Sequence, residues 1–86
     1  MEKILSRDPE TGAYSRIVKF PPTETDKVKS HDFWEEVYIL QGSMYDKTKK
    51  EQYVEGYYAC RPPKMIHGPY SVPYGCILLE TTYFDK

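Results

Sequence analysis

Apolar residues along this chain come in short runs. Glycine, proline or a charged cluster breaks each run before a helical spacing of three and four can establish itself. The pattern therefore predicts strands. Tyr14 to Phe20 (YSRIVKF) is the first, stopped by Pro21 and Pro22, because proline lacks the amide that a central ladder requires. A polar stretch follows from Glu24 to His31. Glu36 to Gln41 (EVYILQ) is the strongest strand, ended by Gly42, and Ser43 to Tyr45 opens the next. Asp46 to Lys50 is a hydrophilic turn between two strand candidates, which predicts a hairpin. Gln52 to Glu55 leads into Gly56, and Tyr57 to Cys60 is a further strand closed by Pro62 and Pro63. Tyr70 to Tyr74, crowded by Pro69, Pro73 and Gly75, reads as a loop, and Cys76 to Phe84 (CILLETTYF) as the final strand. Roughly six to eight short strands with frequent polar turns predict an all-β sandwich or small antiparallel barrel.

Composition strengthens this reading. Nine tyrosines, three phenylalanines and one tryptophan suit pleated, half-buried surfaces. The 86 residues set a single domain, 1–86, with its core at about 12–84. A chain this short buries only roughly 60–65% of its unfolded surface. That small core, together with exposed strand edges and many aromatics, predicts a homodimer. Lys plus Arg is 12 and Asp plus Glu is 13, so the net charge is −1 and gives no reason to expect nucleic acid or an anionic membrane as partner. Lys47, Lys49 and Lys50 read as a solvated turn. No apolar run approaches the ~20 residues of a membrane span, and MEKILSRDPETG has no apolar leader segment. A cytoplasmic location is the resulting expectation. There, Cys60 and Cys76 are expected as two free, buried thiols rather than a disulfide.

The candidate chemistry lies beside the strongest strand. HDFWEEVYILQG carries His31 and Glu35, and GYYACRPPKMIH carries His67, the second of only two histidines. Two imidazoles and one carboxylate beside strands predict one divalent metal site, with Fe, Mn, Ni, Cu and Zn all compatible. A strand turns alternate residues to opposite faces, so only one of Glu35 and Glu36 faces inward.

These residues resemble the cupin family. His31-x3-Glu35-x6-Gly42 is similar to the second half of its first motif, Gly-x5-His-x-His-x3–4-Glu-x6-Gly. Gly56-x5-Pro62-x-Lys64-x2-His67-x3-Ser71 is similar to its second motif, Gly-x5-Pro-x-Gly-x2-His-x3-Asn, at glycine, proline and histidine. TGAYSRIVKFPP, the EEV opening of the core strand, RPP and GCILLE resemble the small ChrR-like cupins, over Asp8 to Phe84. The resemblance implies a jelly-roll barrel, with His31, Glu35 and His67 as metal ligands and Glu35 rather than Glu36 facing the cavity. It also exposes a departure. Lys29 stands where the family has the first histidine of His-x-His, and a protonated lysine has no lone pair for a metal.

Other residues carry less. Lys29 reads either as a solvated charge or as an in-pocket amine that pairs with Glu35 or acts catalytically. Trp34, Tyr38, Tyr57 and Tyr58 read as core or dimer packing, with one or two of them at the pocket mouth as the alternative. Arg61 reads as a surface residue, with binding of a substrate carboxylate as its alternative. The resemblance implies a metal-dependent enzyme of dioxygenase, isomerase or cyclase type, acting on a small oxygenated organic molecule. The alternative is a non-enzymatic ligand-binding or sensory module, metal-free because Lys29 replaces a ligand histidine.

Overall fold

Among the residues described by the structure, a computed structural model covering 1–26, 30–66 and 68–84, all regular structure is β. The strands are β1 (Glu2–Arg7), β2 (Tyr14–Phe20), β3 (Thr23–Glu24), β4 (Trp34–Gly42), β5 (Met44–Asp46), β6 (Glu51–Tyr53), β7 (Tyr58–Arg61), β8 (Tyr70–Val72) and β9 (Cys76–Tyr83). They form two antiparallel sheets, ordered β1-β2-β9-β4-β7 and β3-β8-β5-β6. The all-β expectation holds, in the form of two layers rather than one continuous ladder. No helix in the described residues is long and apolar enough to cross a membrane.

Strand alternation builds the core. Along β9, Cys76, Leu78, Glu80 and Thr82 point inward and are buried, while Ile77, Leu79, Thr81 and Tyr83 are half-buried on the outside. Val37, Ile39, Met44, Tyr53, Val72, Cys76 and Leu78 form one apolar cluster between the sheets. Gly42 closes β4 with φ of +88°, and a Cβ there would lie 2.5 Å from the Gly75 carbonyl oxygen. Both the backbone angle and the contact require glycine.

The predicted β2 matches the observed strand residue for residue, and the predicted hairpin is the β5–β6 pair. Three readings need correction. Glu2–Arg7 is a strand, although all six residues are exposed, because its amides pair with β2 at a sheet edge. Tyr70–Val72 is also a strand, inserted between β3 and β5 despite its flanking prolines. The thiols are free, but only Cys76 is buried and Cys60 is exposed. Cys60 occupies the outward phase of β7 with Tyr58.

Candidate functional site

A cavity of about 380 Å³ lies against the inner face of the five-stranded sheet, with His31, Glu35, Arg16, Arg61, Tyr70 and Glu80 in its wall. Its construction follows from the sheet register. One row across the sheet runs Tyr14–Thr82–Glu35–Arg61, the next holds Arg16 opposite Glu80, and the third holds Val18 opposite Leu78. One end of the wall is therefore polar and charged. The other end is apolar, with Val18, Phe20, Met44 and Leu78.

Glu35 is buried and takes the inward phase of β4. Glu36 takes the outward phase and accepts a hydrogen bond from the Tyr58 hydroxyl. On the inside, Arg61 Nη1 donates to Glu35 Oε1 at 2.9 Å, and both side chains are about nine-tenths buried (12% and 9% exposed). The Arg61 guanidinium also lies 5.4 Å from the centre of the Tyr70 ring. Burial pushes the Tyr70 hydroxyl up to about 12, against the opposing pull of Arg61.

The second ion pair is built differently. Arg16 Nε and Nη2 donate to Glu80 Oε1 at 2.9 and 2.7 Å, and Nη1 donates to the Glu2 carboxylate. Burial disfavours the Arg16 charge, but Glu80 and Glu2 together outweigh it and raise the pKa. One guanidinium thus bridges two carboxylates and ties β1 and β9 to β2.

His31 lies on the approach to β4. Its ring stacks on Phe33 at 4.6 Å, and Phe33 meets Phe84 edge-on at 5.6 Å. The Lys64 amide donates to the His31 carbonyl at 2.5 Å, so the turn leaving β7 is fastened to the His31 segment. Lys64 has φ of +68°, a left-handed conformation at the position where the second cupin motif carries glycine. Of the predicted site residues, His31 and Glu35 share the cavity wall, while Lys29 and His67 lie outside the described residues. Among the described residues, no group of three His, Cys, Asp or Glu side chains gathers around a point a metal could occupy.

Arg61 corrects a sequence reading, because it is a buried wall residue and not a surface one. Arg16, Glu80 and Tyr70 were not singled out by sequence. Strand phase carried a signal for two of them: Arg16 shares the phase of Val18, and Glu80 that of Leu78. A charge on the inward phase of an apolar strand marks a partner or a ligand.

The sequence profile of the ChrR cupin-like domain matches residues 2–83. The chain belongs to the ChrR cupin-like domain family. Solved cupin structures agree on the fold. KdgF from Halomonas sp. superposes with a TM-score of 0.78 at 17% identity, over 99% of this chain and 78% of that one. An acetylacetone dioxygenase from Acinetobacter johnsonii gives 0.77 at 17% identity, over 95% of this chain and 58% of that one. The anti-sigma ChrR, solved with SigE from Rhodobacter sphaeroides, gives 0.69 at 24% identity, over 94% of this cupin and 43% of that chain. A cupin-like protein from Ralstonia eutropha is spanned over 53% of its length, so this cupin covers little more than half of several neighbours. None of the curated proteins matches it in sequence.

Proposed function

We propose that this cupin is a small-molecule enzyme whose cavity holds one divalent metal through His31, Glu35 and His67 and takes a small oxygenated organic ligand. One observation carries the reading: His31 and Glu35 line the same cavity, one offering imidazole and the other carboxylate. The donor types fit a first-row metal. Arg61 engages only Oε1 of Glu35, and Oε2 makes no hydrogen bond among the described residues. A ligating carboxylate steadied from outside by a hydrogen bond is a usual arrangement in metal sites. A bound metal would act as a Lewis acid on a ligand oxygen. The chain's own contributions are a fixed carboxylate, an aromatic shelf under His31, and an apolar end that excludes water from the ligand body.

The dioxygenase and KdgF neighbours support an enzyme of oxygenase or isomerase type. The ChrR neighbour supports a sensing module. A second reading, a metal-free ligand-binding cupin, is favoured by the Arg61–Glu35 pair itself. A guanidinium beside Glu35 already supplies the positive charge that a metal would bring. Two like charges 4 Å apart repel by about 4 kcal/mol at an effective dielectric near 20.

Elemental analysis of the purified protein, before and after reconstitution with Fe, Mn, Ni, Cu and Zn, separates the two. The enzyme reading expects close to one ion per chain and its loss in His67→Ala. No retained metal after reconstitution would overturn it in favour of the metal-free reading. Retention in Glu35→Ala but not in His67→Ala would assign the carboxylate ligand to another residue.

We further propose a homodimer formed through the outer face of the five-stranded sheet. Tyr38, Leu40 and Tyr58 are exposed there at 42%, 43% and 51%, beside half-buried Trp34, Leu79 and Tyr83. An aromatic patch of this kind suits burial against a second copy.

A further inference from the structure

The geometry points to Arg61 as an anion anchor: we infer that the cavity's ligand is a small monocarboxylate with an apolar body, its carboxylate held by the donors of Arg61 that Glu35 leaves unused. The inference deepens the small-molecule reading of the cavity and does not depend on the metal.

The argument begins with the two guanidiniums in the wall. An arginine side chain presents five N–H donors in a rigid fork. Arg16 has all three of its nitrogens engaged, with Nε and Nη2 on Glu80 and Nη1 on Glu2. It shows that a guanidinium at this cavity can bridge two carboxylates. Arg61 has one carboxylate partner among the described residues. Its Nη1 holds Glu35 at 2.9 Å, its face is covered by Tyr70, and Nε and Nη2 make no hydrogen bond among the described residues. The side chain is nevertheless only 12% exposed. Donors left open on a charged side chain that is mostly buried favour an acceptor that reaches them, and a carboxylate matches the fork with two parallel bonds.

The surroundings define the rest of the ligand. Arg61 and Tyr70 border both the 380 Å³ cavity and an adjoining pocket of about 160 Å³, so an acceptor can reach the guanidinium from either side. The larger space is near the low end of small-molecule sites, roughly 300–1,000 Å³. Away from the charged rows the wall is Val18, Phe20 and Leu78, which offers an apolar body burial and no polar contact. Arg16 already spans Glu80 and Glu2, so Arg61 is the guanidinium in the described wall with room for another carboxylate, and a monocarboxylate is the simplest match.

Benzoate and its neutral isostere benzamide are the probes, titrated by NMR into the protein as purified and after chelator treatment. Metal content is measured on the same samples. The expected result is benzoate binding at least about tenfold tighter than benzamide. The ratio should fall to about one in Arg61→Met, while benzamide binding persists. Arg61→Met leaves Glu35 buried without its partner, so the double variant Glu35→Gln/Arg61→Met provides the same comparison if the single variant fails to fold. Absence of binding by both probes, a ratio near one in the parent, or a preference that survives loss of Arg61 each overturns the inference. Metal retained without acid preference leaves the metal reading standing and this one refuted. Acid preference lost with Arg61, in protein that retains no metal even after reconstitution, does the reverse.

Discussion

Lys64 and Gly42 occupy the same rare backbone region and have opposite prospects for substitution. Lys64 has φ of +68° and is exposed, so its side chain brings no packing to offset the left-handed conformation. A non-glycine residue there costs about 1–2 kcal/mol, against about 0.5–1 kcal/mol of extra unfolded-state entropy for glycine. Lys64→Gly is expected to stabilise by about 0.5–1 kcal/mol in denaturant titrations, and a loss would refute the assigned turn. Gly42→Ala should cost about 1–3 kcal/mol or more, because φ of +88° and the Gly75 carbonyl 2.5 Å away both oppose a Cβ. Tyr70 shows its effect in pH dependence instead. Its ordinary value is 10.0 and burial pushes it up to about 12, so the folded state holds the proton longer than the unfolded state. Its contribution to stability is complete below pH 10 and declines as the pH rises towards 12. Tyr70→Phe should flatten the stability profile across that window, and Arg61→Met should delay tyrosinate formation further, because the Arg61 charge pulls the value down.

β9 is the element on which the site depends. It lies between β2 and β4, so its inward phase supplies Leu78 to the core, Glu80 to Arg16, and Thr82 between Tyr14 and Glu35. Among the described residues Thr82 Oγ1 is buried without a hydrogen-bond partner, in a residue only 1% exposed. Thr82→Val keeps the shape and removes the orphan hydroxyl. It should be neutral or stabilising by about 1 kcal/mol in thermal melts, and a clear destabilisation would indicate a partner for the hydroxyl. Arg16→Met should instead cost about 3 kcal/mol, since it strands Glu80 in the interior and releases Glu2 of β1. Apolar runs bounded by proline and glycine made β2, β4 and β9 legible in the sequence, and β4 and β9 alternate against a buried face. β1 was illegible for the opposite reason: with all six residues exposed, it has no face to alternate against. β8 was hidden because Pro69 and Pro73 flank it so closely that only three residues pair.

For the whole molecule, the five-stranded sheet presents two unlike faces, one closing the cavity and one carrying exposed tyrosines. The proposed dimer covers the second. Sedimentation should give a dimer, and Tyr38→Lys/Tyr58→Lys should shift it to monomer without unfolding. A parent that sediments as a monomer at high concentration would refute the interface. Tyr58 bonds Glu36 on this face and not a cavity group, which keeps the test independent of the site. The sheet edges are managed by other means. β1 carries Glu2, Lys3 and Arg7, and its Glu2 is drawn to Arg16, which discourages open-ended strand addition.

The sequence by itself determined the strand periodicity, the glycine that closes β4 and the cupin spacing of His31 and Glu35. These are local properties, set by side-chain alternation and backbone sterics within a few residues. Even the inward phase of Glu35 followed from its place in the motif. Only the tertiary structure decided which charges meet. Arg61 reaches Glu35 across 26 residues and Arg16 reaches Glu80 across 64, through sheet neighbours that no local pattern specifies. A lone charge in a sequence reads as surface because isolated burial is costly. The fold makes its burial tolerable by bringing the opposite charge from elsewhere in the chain.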